Sequence, residues 1–329
     1  MYTKGRPVAE IVDAIKAGAG RSRSVAAIQV KAQALRIRHG SAIGTAGFTV
    51  HAPKSAGRTF EELLADRVKE HSRKTERFET KRSGIDIDID GSGPYAIAFV
   101  GDPHVDDPGT SLAKLHGHLE AIKGARDCYA INMGDLTNNW IGTLSRLYAH
   151  QTFTDKEGIT IAKWMLGAAP WLAVILGNHD KWTGVAEELC QSAGVKHVSH
   201  GAVFKVNRNG HTVKIDARHT HGGNSQYNPA FAQGKQNYRG SDCDIIIGAH
   251  THQSAYTLLK NGITQKVGHC IRVGSYKEAD EYAEVKNFPE QTISPVVLAT
   301  VDHRSDHPRI QIWHDLELGL EYLKMLQCA

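Results

Sequence analysis

Histidine and aspartate gather where this chain could do chemistry. Five short segments, GDPHVDD (101–107), GDLTNN (134–139), GNHD (177–180), RHTHGG (218–223) and GAHTH (248–252), offer Asp102, His104, Asp135, Asn178, His179, His219, His221, His250 and His252. A donor set of carboxylate, carboxamide and imidazole suits Mn, Fe, Zn or Ni better than the all-oxygen shells of Ca and Mg. A single bridging carboxylate would let the set hold two divalent ions, with manganese the expected metal. Each segment alone is a weak signal; five in order predict a metal centre.

Ligands this far apart in sequence must be brought together by regular structure. Each of the runs YAIAFVGD, CYAINMGD, WLAVILGNHD, TVKIDARH and CDIIIGAH is apolar and delivers polar residues at its C-terminal end. Helical spacing lies between several of them, at 111–123 and 158–166. Alternating strands and helices predict an α/β layered domain whose site is built from loops beyond the strand ends. A glycine precedes Asp102, Asp135 and Asn178, which predicts sharp backbone turns at those ends. Upstream, 60–81 reads as a polar helix and IDIDID (85–90) as a strand with one apolar face; LELGLEYLKML predicts a helix within 316–329.

In this order the five blocks closely resemble the calcineurin-like metallophosphoesterase superfamily, whose pattern runs D-x-H, GD, GNH followed by D or E, a lone His, then GHxH. The likeness spans about residues 95–252, and the longer stretches GDPHVDDPGT, GDLTNNWIG and GNHDKWTG are similar to the version found in phage-associated proteins. One departure is visible: Ala249 stands between Gly248 and His250, although His250 and His252 keep their spacing. The resemblance implies a four-layer α-β-β-α sandwich over residues 84–315. It implies one ion on Asp102, His104 and His252, a second on Asn178, His219 and His250, and Asp135 bridging. His219 and His221 remain alternatives in the fourth block; His219 directly follows the strand 213–218, where family members usually place this ligand. The resemblance further implies in-line attack by a metal-activated hydroxide, with His179 stabilising the transition state or protonating the leaving group. Asp180 would stand behind His179, orienting its ring and raising its pKa.

The net charge of +4 hides an asymmetry, because residues 1–82 carry 17 Lys and Arg against 8 Asp and Glu. Val8, Ile11, Val12 and Ile15, then Val25, Ile28, Ala32 and Leu35, mark two short helices around a glycine turn, a helix-turn-helix-like element over 1–40. Its second helix and flanks present Arg21, Arg23, Lys31, Arg36 and Arg38 without an acid, a footprint for DNA or else a packing or oligomerisation element. Residues 39–59 read as a linker, so that 41–83 comprises linker and helix.

Neighbouring polar residues have plainer readings. Asp106 and Asp107 would cap the following helix or shape the pocket mouth; Asn138, Asn139 and Trp140 would line a cleft or serve the core. His116 and His118, two apart on a helix, face different ways and read as surface residues. His303, His307 and His314 fall outside the family pattern.

With 41% apolar and 22% charged residues, the composition excludes fibrous and disordered classes. The longest apolar stretch, 168–176, contains Pro170 and is too short for a bilayer, which excludes a membrane-spanning protein. The start shows no secretory signal, and five scattered cysteines read as free thiols, so the cytoplasm is the expected compartment. The superfamily includes phosphatases, cyclic-nucleotide phosphodiesterases and DNA nucleases on one core. The basic N-terminal region favours a phosphodiesterase acting on DNA. A phosphomonoesterase or small-nucleotide phosphatase is the alternative, and a DNA-binding or assembly protein with a vestigial metal site the third reading.

Overall fold

A computed structural model describes residues 58–225, 227–279, 293–305 and 307–329. The chain divides into two compact units, Met1–Leu63 and Leu64–Ala329, and every candidate metal ligand lies in the second. The expected helical element over 1–40, with Arg21, Arg23, Lys31, Arg36 and Arg38, falls outside the described residues, as does the linker to residue 57.

Helix α1 (Phe60–Ser83) starts on a capping box. The Glu62 N–H donates to Thr59 Oγ1 at 3.2 Å and the Thr59 N–H to Glu62 Oε2 at 2.9 Å. Beyond it, two six-stranded sheets form. One runs in the order β1 (Ile85–Asp88), β6 (Gly201–Arg208), β7 (His211–Arg218), β8 (Ile245–Gly248), β10 (Val267–Arg272), β9 (Ala255–Lys260). The other runs β12 (Arg309–Trp313), β11 (Val296–Asp302), β2 (Tyr95–Val100), β3 (Cys128–Asn132), β4 (Trp171–Leu176), β5 (His197–Ser199).

The continuous apolar runs arise because these strands are buried on both faces. In β2, Tyr95, Ile97 and Phe99 enter the core between the sheets, while Ala96, Ala98 and Val100 face helices. Those helices are α2 (Leu112–Gly124), α3 (Asp155–Gly167), α5 (Val185–Ser192) and α7 (Leu316–Cys328), which bury Leu119, Met165, Leu189 and Leu323 against the second sheet. Helix α6 (Phe231–Tyr238) packs on β8, β9 and β10. Cys243, Ile246 and Cys270 fill the outer face of the first sheet. The result is helix, sheet, sheet, helix: the four-layer α/β sandwich expected.

Strand β1 realises the Ile-Asp alternation, with Ile85 and Ile87 turned toward the inter-sheet core and Asp86 and Asp88 exposed. It ends at Asp88 rather than 90. Helix α7 is capped by Asp315, whose carboxylate accepts the Leu318 N–H at 3.0 Å. All five cysteines are free; Cys128, Cys190, Cys243 and Cys270 are buried and Cys328 is exposed. No helix among the described residues is long and apolar enough to cross a membrane.

Parallel pairing decides where the ligands go. β2, β3, β4 and β5 run parallel, so Asp102, Asp135 and Asn178 emerge at one edge of the second sheet. β7 and β8 also run parallel, bringing His219 and His250 to an edge of the first. The edges meet through a bridge between Asp102 and Ser275 and a hydrogen bond from the His250 N–H to Asp102 Oδ2 at 2.8 Å.

Candidate metal centre

Two three-residue clusters form at the joined sheet edges: Asp102, His104 and His252, and Asp135, His219 and His250. Within each, the ligand atoms all lie within 4.8 Å of one another. Asp135 joins them. Its Oδ2 lies 3.1 Å from His219 Nε2 and 4.0 Å from His104 Nε2, while Oδ1 accepts the His179 N–H at 3.0 Å. Asn178, on the one-turn helix α4 (Asn178–Lys181), places Oδ1 3.0 Å from His219 Nε2. His250 Nδ1 is 3.1 Å from the same nitrogen, and His252 Nε2 is 3.5 Å from Asp102 Oδ2.

These side chains fit a divalent cation. Asp102 Oδ1 and both ring nitrogens of His104 are buried without a hydrogen-bond partner among the described residues. Buried donors and acceptors left unpaired are costly, so such a cluster needs an ion or water to complete it. His219 Nδ1 donates to the Met133 carbonyl at 2.9 Å, which leaves Nε2 facing the cluster.

Backbone strain concentrates at the centre. His104, Asp135, His250 and His252 have φ values of 39°, 54°, 74° and 53°, the left-handed region that non-glycine residues rarely occupy. The glycines do two different jobs. Gly134 takes φ 115°, as a sharp turn requires, whereas Gly101 and Gly177 are needed for space. A Cβ on Gly101 would lie 1.9 Å from the Gly274 carbonyl oxygen, and one on Gly177 2.2 Å from Asp135 Oδ1. The expectation of a glycine turn before all three ligands is therefore corrected at Gly101 and Gly177.

Electrostatics pairs the groups. Burial opposes charge on His219, yet Asp135 and Asp102 beside it push its pKa up to about 10. Burial and the His219 charge push His250 down to about 4, and burial with His179 holds His104 well below the usual imidazole range. Burial works against ionised Asp135, but His219 and His104 hold it low.

His221 is buried elsewhere. Its Nε2 lies 3.8 Å from Asp216 Oδ2, and it joins neither cluster.

Asp180 does not stand behind His179. Its carboxylate accepts three backbone N–H groups, from Asp135 at 2.7 Å, Leu136 at 2.9 Å and Gly177 at 2.9 Å. The turn of α4 aims Asp180 back at the loop, and the Asn138 carbonyl takes its place as the partner of His179 Nδ1. The His179 ring sits among Trp182, Trp140 and His104, at centroid distances of 4.2, 5.2 and 5.1 Å. Burial lowers its pKa, with Asp135 and the Asn138 carbonyl opposing.

Asp106 and Asp107 do not cap α2, whose N-cap is Ser111. Asp106 Oδ1 accepts the Asn138 N–H at 2.7 Å, and Asp107 Oδ2 accepts from Asn138 Nδ2 at 2.8 Å. The asparagines are therefore framework. Asn139 Nδ2 donates to the His179 carbonyl at 2.7 Å. His116 is exposed and stacks on Trp164, whereas His118 is half-buried and bonds the Tyr276 hydroxyl at 2.9 Å, so only the first is a plain surface residue. Sequence reasoning passes over Trp182 and Lys277. Lys277 is buried, pairs with Asp107 at 2.9 Å and lies 5.5 Å over the Trp140 ring. The sequence signal for Trp182 is its place two residues after GNHD; Lys277 offers none.

No family model and no curated protein matches the chain. Solved structures do. A single mutant of Vps29 from Entamoeba histolytica is 15% identical over 67% of this chain and 99% of its own, with a TM-score of 0.36. A novel archaeal phosphodiesterase is 13% identical over 66% of this chain and 99% of its own, TM-score 0.34. The Pseudomonas putida nuclease MPE is 14% identical over 66% of this chain and 87% of its own, TM-score 0.32.

Proposed function

We propose that the chain is a dinuclear-metal-dependent phosphoesterase that hydrolyses phosphodiester bonds in nucleic acid. One observation carries the reading: two ligand clusters lie side by side, Asp135 Oδ2 of one standing 4.0 Å from His104 Nε2 of the other, and buried Asp102 and His104 atoms are without hydrogen-bond partners among the described residues. Asp102, His104 and His252 would hold one ion, Asn178, His219 and His250 the other, with Asp135 between them. Mixed oxygen and imidazole donors favour manganese, with Fe, Zn or Ni able to substitute. Bound there, a pair of divalent ions lowers the pKa of water and offsets charge on phosphate oxygens.

The chain's own groups then orient and exclude. With its Nδ1 held by the Asn138 carbonyl, His179 presents Nε2 to a leaving-group oxygen, a position for stabilising or protonating it. Asp180 acts one step removed, fixing the loop that carries Asp135. Trp140 and Trp182 exclude water from one side of His179. Support for a DNA substrate comes from the basic 21–38 segment, and the stretches GDPHVDDPGT and GNHDKWTG support the phage-associated type.

The test is hydrolysis of bis-p-nitrophenyl phosphate and p-nitrophenyl phosphate with Mn²⁺, using His179→Ala as control. Diester turnover lost in the variant is expected. Monoester turnover alone would make the protein a phosphatase; no turnover of either with two ions bound would overturn the esterase reading for these substrates.

A further inference from the structure

Helix α6 and edge strand β9 enclose a pocket of about 280 Å³ on the outer face of the first sheet. Its lining is mostly apolar or aromatic, with Phe231, Tyr238 and Leu259 prominent, and carries two cations, Lys235 and Arg239, with no carboxylate among the described residues. Phe231, Lys235 and Tyr238 recur at helical spacing on one face of α6, and Arg239 follows at its end. Neither cation has an ion-pair partner among the described residues. Phe231 is 41% and Tyr238 62% exposed, unusual for aromatics that only serve a core.

The pocket adjoins the metal centre through the chain. Gly223 follows His219 by four residues, a separation of at most ~14 Å along extended backbone. A Cβ on Gly223 would lie 3.2 Å from Phe231 Cε1 and 3.6 Å from Lys235 Cδ. Gly223, in the segment that follows His219, therefore lies beside the pocket's own aromatic and cation.

We propose that this pocket binds one base of a single-stranded nucleic acid, stacked on Phe231 or Tyr238, with its phosphate held by Lys235 and Arg239. Aromatic faces beside unpaired cations match the two parts of a nucleotide and do so without sequence preference. An apolar peptide would satisfy the lining but leave both cations without a partner. As part of catalysis the proposal rests on the phosphodiesterase reading; as a binding site it stands alone. It would hold a strand beside the centre, at a distance from the bond cleaved.

Fluorescein-labelled dT10 and the full-length protein in EDTA provide the test, read by anisotropy. Phe231→Ala/Tyr238→Ala changes no charge, so any contribution of the basic 21–38 segment is unaltered. Binding by this variant is expected to weaken about five-fold or more at fixed salt, with an unchanged salt slope. Lys235→Gln/Arg239→Gln should instead flatten the slope of log K against log salt by about 0.7 for each phosphate no longer neutralised. Both pairs are surface substitutions, and unchanged thermal unfolding verifies the fold. The proposal is overturned if the parent does not bind dT10, or if the aromatic variant binds within two-fold of it. Turnover of bis-p-nitrophenyl phosphate, run in parallel with Mn²⁺, reads the metal centre separately in parent and variants. Its absence in all of them alongside weakened dT10 binding would remove the esterase reading and keep the pocket.

Discussion

The carboxylate of Asp180 accepts the backbone N–H of Asp135 at 2.7 Å, and the same oxygen accepts Gly177 N–H while its partner oxygen accepts Leu136 N–H. One buried side chain thereby fixes the loop that presents Asp135. Asp180→Asn keeps the volume but turns an NH₂ toward at least one of these donors. It should cost about 2 kcal/mol of stability from an unsatisfied amide and weaken metal binding about 10–100-fold, as loss of a ligand's supporting partner does. Denaturant unfolding in EDTA and Mn²⁺ titration measure the two effects; a variant matching the parent in both would refute the supporting role.

His219 and His221 are two residues apart but should behave differently. His219→Ala should reduce bound metal from two ions to one, read by elemental analysis after dialysis. His221→Ala, removing a ring that touches neither cluster, should retain both. The reverse pattern would move the ligand role to His221.

Removing the His179 ring leaves the histidines around Asp135 Oδ2 in place, because His179 bonds Asp135 through its backbone N–H. His179→Ala should therefore keep full metal stoichiometry and lose about 10²–10⁴-fold in diester turnover. Loss of metal together with activity would count against a role confined to the reaction.

Gly177 has ordinary backbone dihedrals, so Gly177→Ala tests space alone. Its Cβ would lie 2.2 Å from Asp135 Oδ1, displacing that carboxylate. Mn²⁺ affinity should fall about ten-fold or more, whereas Gly222→Ala, with open space around it, should be silent. Equal affinities in the two would show that the carboxylate tolerates the methyl.

Burial, against the Asn138 N–H and with help from Asp107, pushes the Asp106 carboxyl up to about 6. A carboxyl harder to ionise in the fold than in the unfolded chain favours the folded state at low pH. That contribution is full below the ordinary value near 3.8 and lost as pH rises to about 6, on the order of 3 kcal/mol. Asp106→Asn keeps an acceptor for the Asn138 N–H but turns its NH₂ toward Gln151 Nε2, which donates to Asp106 Oδ2 at 3.2 Å, a cost that does not vary with pH. Between pH 4 and 7, in EDTA, the variant's stability relative to the parent should rise by about that amount. A pH-independent difference would rule out the raised carboxyl.

Much of the layered fold is legible because its strands are buried on both faces and write their period into composition: YAIAFV, WLAVIL and IIIG could hardly lie anywhere but inside. The candidate ligands are legible too, since Asp, Asn and His at successive strand ends are a pattern of residue types. Backbone partners are not. Any residue's carbonyl could hold His179 or His219, so nothing in the letters marks Asn138 or Met133. Adjacency in GNHD suggests that Asp180 serves His179, whereas one turn of helix aims consecutive side chains in different directions. Sequence alone determined which groups could meet an ion and the strand ends that carry them. Only the tertiary structure decided that Asp135 stands 4.0 Å from His104 of the neighbouring cluster, that His219 and not His221 faces it, and that Trp182 borders His179 while Lys277 lies over Trp140. Those relations depend on loops from two sheets meeting in space, which local periodicity does not encode.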